Sequence, residues 1–252
     1  MLFSPEEVDL VMRSPLKRRR ILDILVSQSN PAYLSDLQAY RRVLAQRNHL
    51  LRSSRGKLNV RLLDPWDAQL ADFGSRIILR RAGVVKRMVP KVTYFYHYLF
   101  PDEEEDLSVS YMTISTDTED IRSISVALLD GLTQKRRHEI TAGHTLCGPH
   151  LDTLMFSIKG HDVQQSASQG QLKSILTAWK FSEALFLEEV TGLKPVILFD
   201  DVFSELDESR SMSLLNILDT LGQVFLTSAR DRDLPMMEHG FHELPIAGYT
   251  AT

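Results

Sequence analysis

A single cysteine, Cys147, stands in a chain of 252 residues, so no internal disulfide framework can hold this fold. Stability must come from a packed core, and 43% hydrophobic residues at this length suffice to build one. No apolar run approaches the roughly 20 residues that span a bilayer. The start of the chain, with Glu6, Glu7 and Asp9, lacks the charge and apolar pattern of a secretory leader. A soluble cytoplasmic protein without membrane contact is expected. The eight histidines and one cysteine show no zinc-ligand spacing, and no Gly-x-Ser-x-Gly elbow occurs, which argues against zinc and covalent-hydrolase chemistry. A Gly-x-x-x-x-Gly-Lys-Ser/Thr loop is also absent. The one Gly-Lys pair, Gly56-Lys57, is followed by Leu58 in a polar connector. Without that loop, the terminal phosphate of a nucleotide has no primary binding site on this chain alone, and self-contained ATP hydrolysis is not expected.

Acidic residues are scarce in the first part of the chain. Residues 1–100 carry 18 Lys and Arg against 8 Asp and Glu, whereas the remainder carries 11 against 25, so the overall charge of −4 hides a basic half. Such a split suits a surface facing a polyanion. The candidates for phosphate contact are Arg18 and Arg19 in the Lys17–Arg20 run, Arg41 with Arg42, and Arg80 with Arg81; Lys86 and Arg87 lie beyond. Contact of this kind is salt-dependent and nearly blind to base sequence. Replacing Arg80 and Arg81 with Glu is expected to weaken DNA binding. Long arginine stems also cover apolar surface, so some of these residues are structural, and one of Arg18 to Arg20 is expected to pack or to pair with Asp23.

The stretch Val196–Phe199 is continuously apolar behind Pro195, which suits a strand buried on both faces of a parallel sheet. It ends in Asp200 and Asp201, and Ser204, Glu205, Leu206 and Asp207 follow. Carboxylates at the carboxyl end of such a strand stand at the ligand-binding edge of an open α/β sheet, where they can hold Mg²⁺ and orient a water toward a nucleotide phosphate. About 25 residues upstream, Ala167, Ser168, Gln169, Gly170 and Gln171 precede a helix, an arrangement that favours an anion at a helix N-terminus.

Periodicity supplies the frame. A helix is expected over Ala32–Arg52, with Leu37, Leu44 and Leu51 seven apart, followed by a polar connector from Ser53 to Arg61. The next helix starts with Asp64 as N-cap and Pro65 in its first turn, and carries Trp66, Leu70, Phe73, Ile77 and Val84. The two form an antiparallel hairpin. Pro101–Asp106 reads as an acidic loop, Leu107–Ser115 as a strand, Asp120–Arg137 as a helix, and Gly143–Ile158 as strand and loop. Helices at Gln171–Glu189 and Asp207–Leu221 and a strand at Gln223–Thr227 complete an α/β pattern.

Three clusters then fall in order: Gly148, Pro149 and His150 followed by Asp152; Ala167 to Gln171; and Phe199 to Asp207. With Phe3 to Glu6, Ser14-Pro15, Arg18 to Asp23, Tyr40, Val43-Leu44, Gln46 to Asn48, and Trp66-Asp67 with Gln69 to Ala71, their order and spacing resemble the bacterial RecF family. Leu151 and Thr153 depart from that family's usual Arg and Asp, and Leu172-Lys173 replaces a more polar pair. The resemblance implies an α/β fold: part of an ABC-type ATPase head, its C-terminal part, with a mainly helical arm. Residues 1–12 would end an N-terminal head lobe, 13–192 form the arm with the signature motif, and 193–252 carry Walker B and D-loop. The phosphate-binding loop would belong to a lobe preceding Phe3.

By the same resemblance, Asp200 is the Mg²⁺ ligand and Asp201 the carboxylate acting on the attacking water. Ser168, Gln169, Gly170 and Gln171 meet ATP held mainly by a second subunit, and Asp207 lies at that interface. Thr227 and Ser228 stand where other heads place a switch histidine. His150 is expected to be a hydrogen-bonded structural residue. The family further implies binding at single-strand/double-strand DNA junctions, help in loading RecA in the SOS response, partnership with RecR and RecO, an ATP-dependent homodimer and a weak ATPase. Two other readings are a DNA- or RecR-binding module without catalysis, and another SMC-like head; the short connector argues against the latter.

Overall fold

A computed structural model describes residues 2–3, 14–53, 58–101, 106–115, 117–200, 208–218 and 221–227. The first helix, α1 (Pro15–Ser29), begins where Ser14 accepts the Lys17 N–H at 3.4 Å and Pro15 takes the first helical position. Asn30 closes α1 by donating its N–H to Val26 (2.9 Å) and opens α2 (Pro31–Ser53), its side chain accepting from Ala32 N at 3.1 Å. A single residue therefore separates the two helices. A 3-10 turn, Val60–Leu63, then runs directly into α3 (Asp64–Leu99). This corrects the expected cap: Asp64 is already helical, the 3-10 turn supplies the entry, and the Asp64 carboxylate is engaged by Arg136 at 2.6 Å. The helix also continues through Pro90, an exposed position where the ring removes one backbone donor.

α3 is the spine of the molecule. It packs on α2, on α4 (Ile121–Ala142) and on α6 (Gln169–Thr191). Met88, Val92 and Tyr96 on its inner face are fully buried. Asp120 caps α4 and Gly143 ends it at φ +73°, a conformation glycine adopts without a Cβ penalty. Strands β2 (Leu107–Met112), β3 (Thr153–Ile158) and β4 (His161–Asp162) form an antiparallel sheet in that order. Its alternating inner residues lie on the helices, with Phe156 meeting Trp179 of α6 edge to face at 5.5 Å. A short helix, α5 (Val163–Ser166), joins β4 to α6.

The second sheet is parallel, in the order β1 (Leu2–Phe3), β5 (Ile197–Asp200), β6 (Val224–Thr227), with α7 (Glu208–Leu218) between β5 and β6 in the chain. Phe199 and Ile197 are 1% exposed, and Phe199 packs against Phe181 of α6 at 5.5 Å. The opposite face differs from the sequence expectation. Leu198 and Phe225 remain 41% and 43% exposed, so the strand is parallel yet covered on one side only among the described residues. An unbroken apolar run cannot distinguish these cases, because it reports what a strand tolerates rather than what lies against it.

Candidate nucleotide and nucleic-acid sites

The signature segment is an ordered helix start. Ser168 Oγ accepts the Gln171 N–H at 3.2 Å, and Gln171 Oε1 accepts the Ser168 N–H at 2.9 Å, a reciprocal capping box. Gly170 is exposed, and among the described residues a Cβ there would meet only Ser168 Oγ, at 3.8 Å, so an approaching group can come close to the backbone. Behind this tip α6 is buried from Leu172 to Leu187. Trp179 donates to Glu183 at 2.8 Å and Lys180 pairs with Glu183 at 3.0 Å, which leaves these interior polar groups satisfied. Ser168, Gln169, Gly170 and Gln171 thus sit on the end of a rigid rod.

Asp200 ends β5 and Thr227 ends β6, side by side at the carboxyl edge of the parallel sheet. Thr227 Oγ1 donates to Asp200 Oδ1 at 2.6 Å, and both side chains are exposed. Asp201 and Asp207 lie outside the described residues, as does Ser228. No cluster of three or more His, Cys, Asp or Glu exists among the described residues. One exposed carboxylate oriented by a hydroxyl fits Mg²⁺, which keeps several waters and relies on phosphate oxygens rather than a protein cage.

The arginines separate by environment. Arg81 is buried, and its fork is used entirely inside the protein: Nε and one terminal nitrogen donate to Asp23 (3.0 and 2.7 Å), and the other donates to the Pro149 carbonyl at 2.7 Å. Tyr33 also donates to Asp23. Arg18 is 2% exposed and donates to Thr153 at 3.4 Å, and burial lowers its pKa. Arg19, half-buried, donates to the Asp152 carbonyl at 2.6 Å. Arg80 pairs with Asp36. Arg41 is 65% exposed, with a loose 3.4 Å contact to Asp23, and Arg42 is exposed. Of the run Arg18 to Arg20, Arg18 is the residue that packs, as expected, while Asp23 is paired by Arg81 of α3 and Arg41 of α2 and Arg19 turns toward the loop before β3.

That loop, 143–152, joins the quoted motifs in space. Arg47, fully buried, donates to Asp67 (2.7 Å), to Glu139 (2.7 Å) and to Thr145 Oγ1 (2.9 Å). Glu139 accepts the Leu146 N–H at 2.7 Å, Asn48 accepts the Thr145 N–H at 2.8 Å, and Arg136 closes on Asp67 at 2.6 Å. Farther along, Tyr40 Oη and His150 Nδ1 are 2.7 Å apart, and His150 Nε2 lies 3.2 Å from the Thr145 carbonyl. The carbonyl requires a proton on Nε2, so Nδ1 accepts from the tyrosine. Burial depresses the His150 pKa to about 4, which keeps the ring neutral. Gly148 adopts φ +129° beneath the Tyr40 hydroxyl. In the sequence, Tyr40, Arg47, Asn48 and Asp67 stand out only as family-like residues, with Tyr40 on a helix stripe and Asp67 in a helix first turn; no periodicity shows that four helices converge on one loop.

Helical arm, capped signature helix and parallel strands with an acidic carboxyl edge together define an ABC-type ATPase head with its helical subdomain. No family model matches the chain. RecF of Streptococcus thermophilus strain LMD-9, a DNA replication and repair protein, is 38% identical over 229 residues, which is 90% of this chain and 61% of that protein. RecF of Halothermothrix orenii is 35% identical over 233 residues. A solved structure of the recombination mediator protein RecF with ATPrS, in the RecFOR pathway, superposes with a TM-score of 0.81 at 31% identity, covering 91% of this chain and 62% of the other. The chain belongs to the RecF family, and it spans about three-fifths of the length of the curated relatives it matches.

Proposed function

We propose that this chain supplies the arm and the signature-bearing part of a RecF-type DNA repair protein. In this reading ATP lies between two heads, and Ser168 to Gln171 meet its phosphates from one side. Asp200, oriented by Thr227, carries Mg²⁺, with Asp201 acting on water and Asp207 at the contact between heads. The observation that carries the reading is the pairing of a capped, exposed helix start with a carboxylate–hydroxyl pair at a parallel sheet edge, in a chain that belongs to this family. ATP is bound in a solved RecF relative, and a site shared between subunits explains how a chain without a phosphate-binding loop could take part. Hydrolysis by this chain alone is not proposed.

The DNA reading places phosphates on the exposed cations Arg20, Arg41 and Arg42, with Arg80 and Arg19 partly engaged and Arg18 and Arg81 internal. The proposed target is a single-strand/double-strand junction, the proposed partners RecR, RecO and RecA, and the proposed assembly an ATP-dependent homodimer. The domain division proposed is head residues 1–12, arm and signature 13–192, and head 193–252. The test is fluorescence anisotropy on a duplex with a single-stranded overhang. Arg41→Glu/Arg42→Glu is expected to weaken binding equally across sequences and to lower the salt slope by up to about two. Unchanged affinity and slope at low salt would remove these residues from the interface. Mg-ATP, added to the chain mixed with a RecF that carries the phosphate-binding loop, is expected to drive association that Ser168→Arg abolishes; association indifferent to that change counts against the shared site.

A further inference from the structure

We infer that the groove between α1 and α2 is a docking site for an acidic, amphipathic helix of a partner protein. This inference is independent of the nucleotide reading but shares Arg20 and Arg41 with the proposed DNA contact, so an acidic partner and DNA would compete for that rim. The groove has a volume of about 810 Å³, with Pro149 and His150 at its floor. One wall is the α1 row Leu16, Arg20, Ile24, Gln28, spaced every fourth residue and so on one face. That row is about 18 Å long at the rise of a helix, which matches three turns of a bound helix. The other wall is a row of α2 that includes Leu34 and Arg41.

Two observations select the occupant. First, the apolar lining is exposed rather than filled: Leu16 is 68%, Ile24 48% and Leu34 46% exposed. Three large aliphatic side chains along one groove are a recognised form of helix-binding surface. Second, the rim is cationic: Arg19, Arg20 and Arg41 line it with Asp23 as its one acid. Between Pro15 and Ser53, with Arg18 and Arg47 buried, six basic residues remain toward the surface beside two acidic ones. The two acids are already engaged, Asp23 by Arg81 and Arg41, and Asp36 by Arg76 and Arg80. A partner with aliphatic residues at helical spacing and carboxylates beside them complements both features. A single-stranded nucleic acid fits less well, because bases bind on exposed aromatic rings. The Tyr, Phe and Trp content of α1 and α2 is Tyr33 and Tyr40 alone, 0% and 2% exposed, and the exposed His49 does not line the groove.

The test pans random 16-residue peptides displayed on phage against the 252-residue chain. Enriched peptides are synthesised and titrated by anisotropy against wild type, Ile24→Asp, Leu34→Asp and Arg20→Glu/Arg41→Glu. The expected peptides interleave Asp or Glu with aliphatic residues three and four apart. Their binding falls at least tenfold with Ile24→Asp, with Leu34→Asp and with the double charge reversal, while the melting temperature stays at the wild-type value. Should one aspartate variant lower the melting temperature, the charge-reversal pair, which leaves the apolar lining intact, carries the test. No enrichment, peptides indifferent to the variants, or a basic consensus overturns the proposal. Two further outcomes do the same: loss of binding of a 16-nucleotide single strand in Ile24→Asp, which would make the groove a nucleic-acid path, and dissociation of a dimer by Ile24→Asp, which would give it to a second copy.

Discussion

Replacing Arg47 with Met removes the one cation that two interior carboxylates share, and the structure sets the size of the effect. Arg47 and Glu139 are completely buried and Asp67 is 1% exposed. Removing one partner of a buried ion pair costs about 3–5 kcal/mol, because the remaining charge stays desolvated. Arg136 still holds Asp67 at 2.6 Å and Leu146 still donates to Glu139 at 2.7 Å, so the lower end applies, about 3 kcal/mol. For a chain of this size that corresponds to a fall in Tm of about 6–12 °C. The assay is a thermal melt with a parallel urea titration read by circular dichroism. Arg47→Lys discriminates charge from geometry: an ammonium keeps the charge but cannot span Asp67, Glu139 and Thr145 with one planar fork, so it should recover only part of the loss. A Met variant within about 1 kcal/mol of wild type would refute the reasoning, since an uncompensated buried carboxylate cannot be that inexpensive.

Other perturbations bear on the same loop and on the open sheet face. Gly148→Ala forces a side chain into φ +129° against the Tyr40 hydroxyl and should destabilise by about 1–3 kcal/mol, measured by urea unfolding; a neutral result would mean the loop can shift freely. His150 is neutral when folded, with its pKa depressed to about 4 from 6.5. Its contribution is therefore complete above pH 6.5 and is lost as pH falls toward 4, by up to about 3 kcal/mol. His150→Gln should show a shallower fall in stability between pH 6.5 and 4 than wild type, and parallel profiles would contradict the assignment. Leu198→Thr and Phe225→Thr, on the open face of β5 and β6, should leave Tm within a few degrees while lowering dye binding to exposed apolar surface. A large loss of stability would show that this face is covered.

Where local rules decide the outcome, the sequence was legible. Asp120 opens α4 where a helix was expected, although α4 runs to Ala142 and the Gly143 cap rather than stopping at Arg137, and the helix expected from Gln171 starts at Gln169 behind a Ser168–Gln171 capping box; the strand ending at Asp200 is parallel as its apolar run suggested. α1 was passed over although Ser14-Pro15 is a helix-start signal, because the arginine run after it reads first as a charged surface. The same bias governed the site. Arg81 looks identical to Arg42 in sequence, and only the convergence of Asp23 and the Pro149 carbonyl from distant elements turns it inward.

This distinction changes what charge reversal at Arg80 and Arg81 can report. Arg81→Glu would bury a carboxylate against Asp23 and Asp152, two like charges in the same pocket. The expected consequence is unfolding, and any accompanying loss of DNA binding would follow from it. Arg42→Glu, on an exposed position of α2, perturbs the surface field and leaves that network intact. If DNA affinity falls with Arg42→Glu while the melting temperature holds, the basic face of the arm contacts phosphate. If affinity falls only in variants that also melt early, the positive balance of residues 1–100 reflects internal pairing, and the DNA contact must be sought elsewhere.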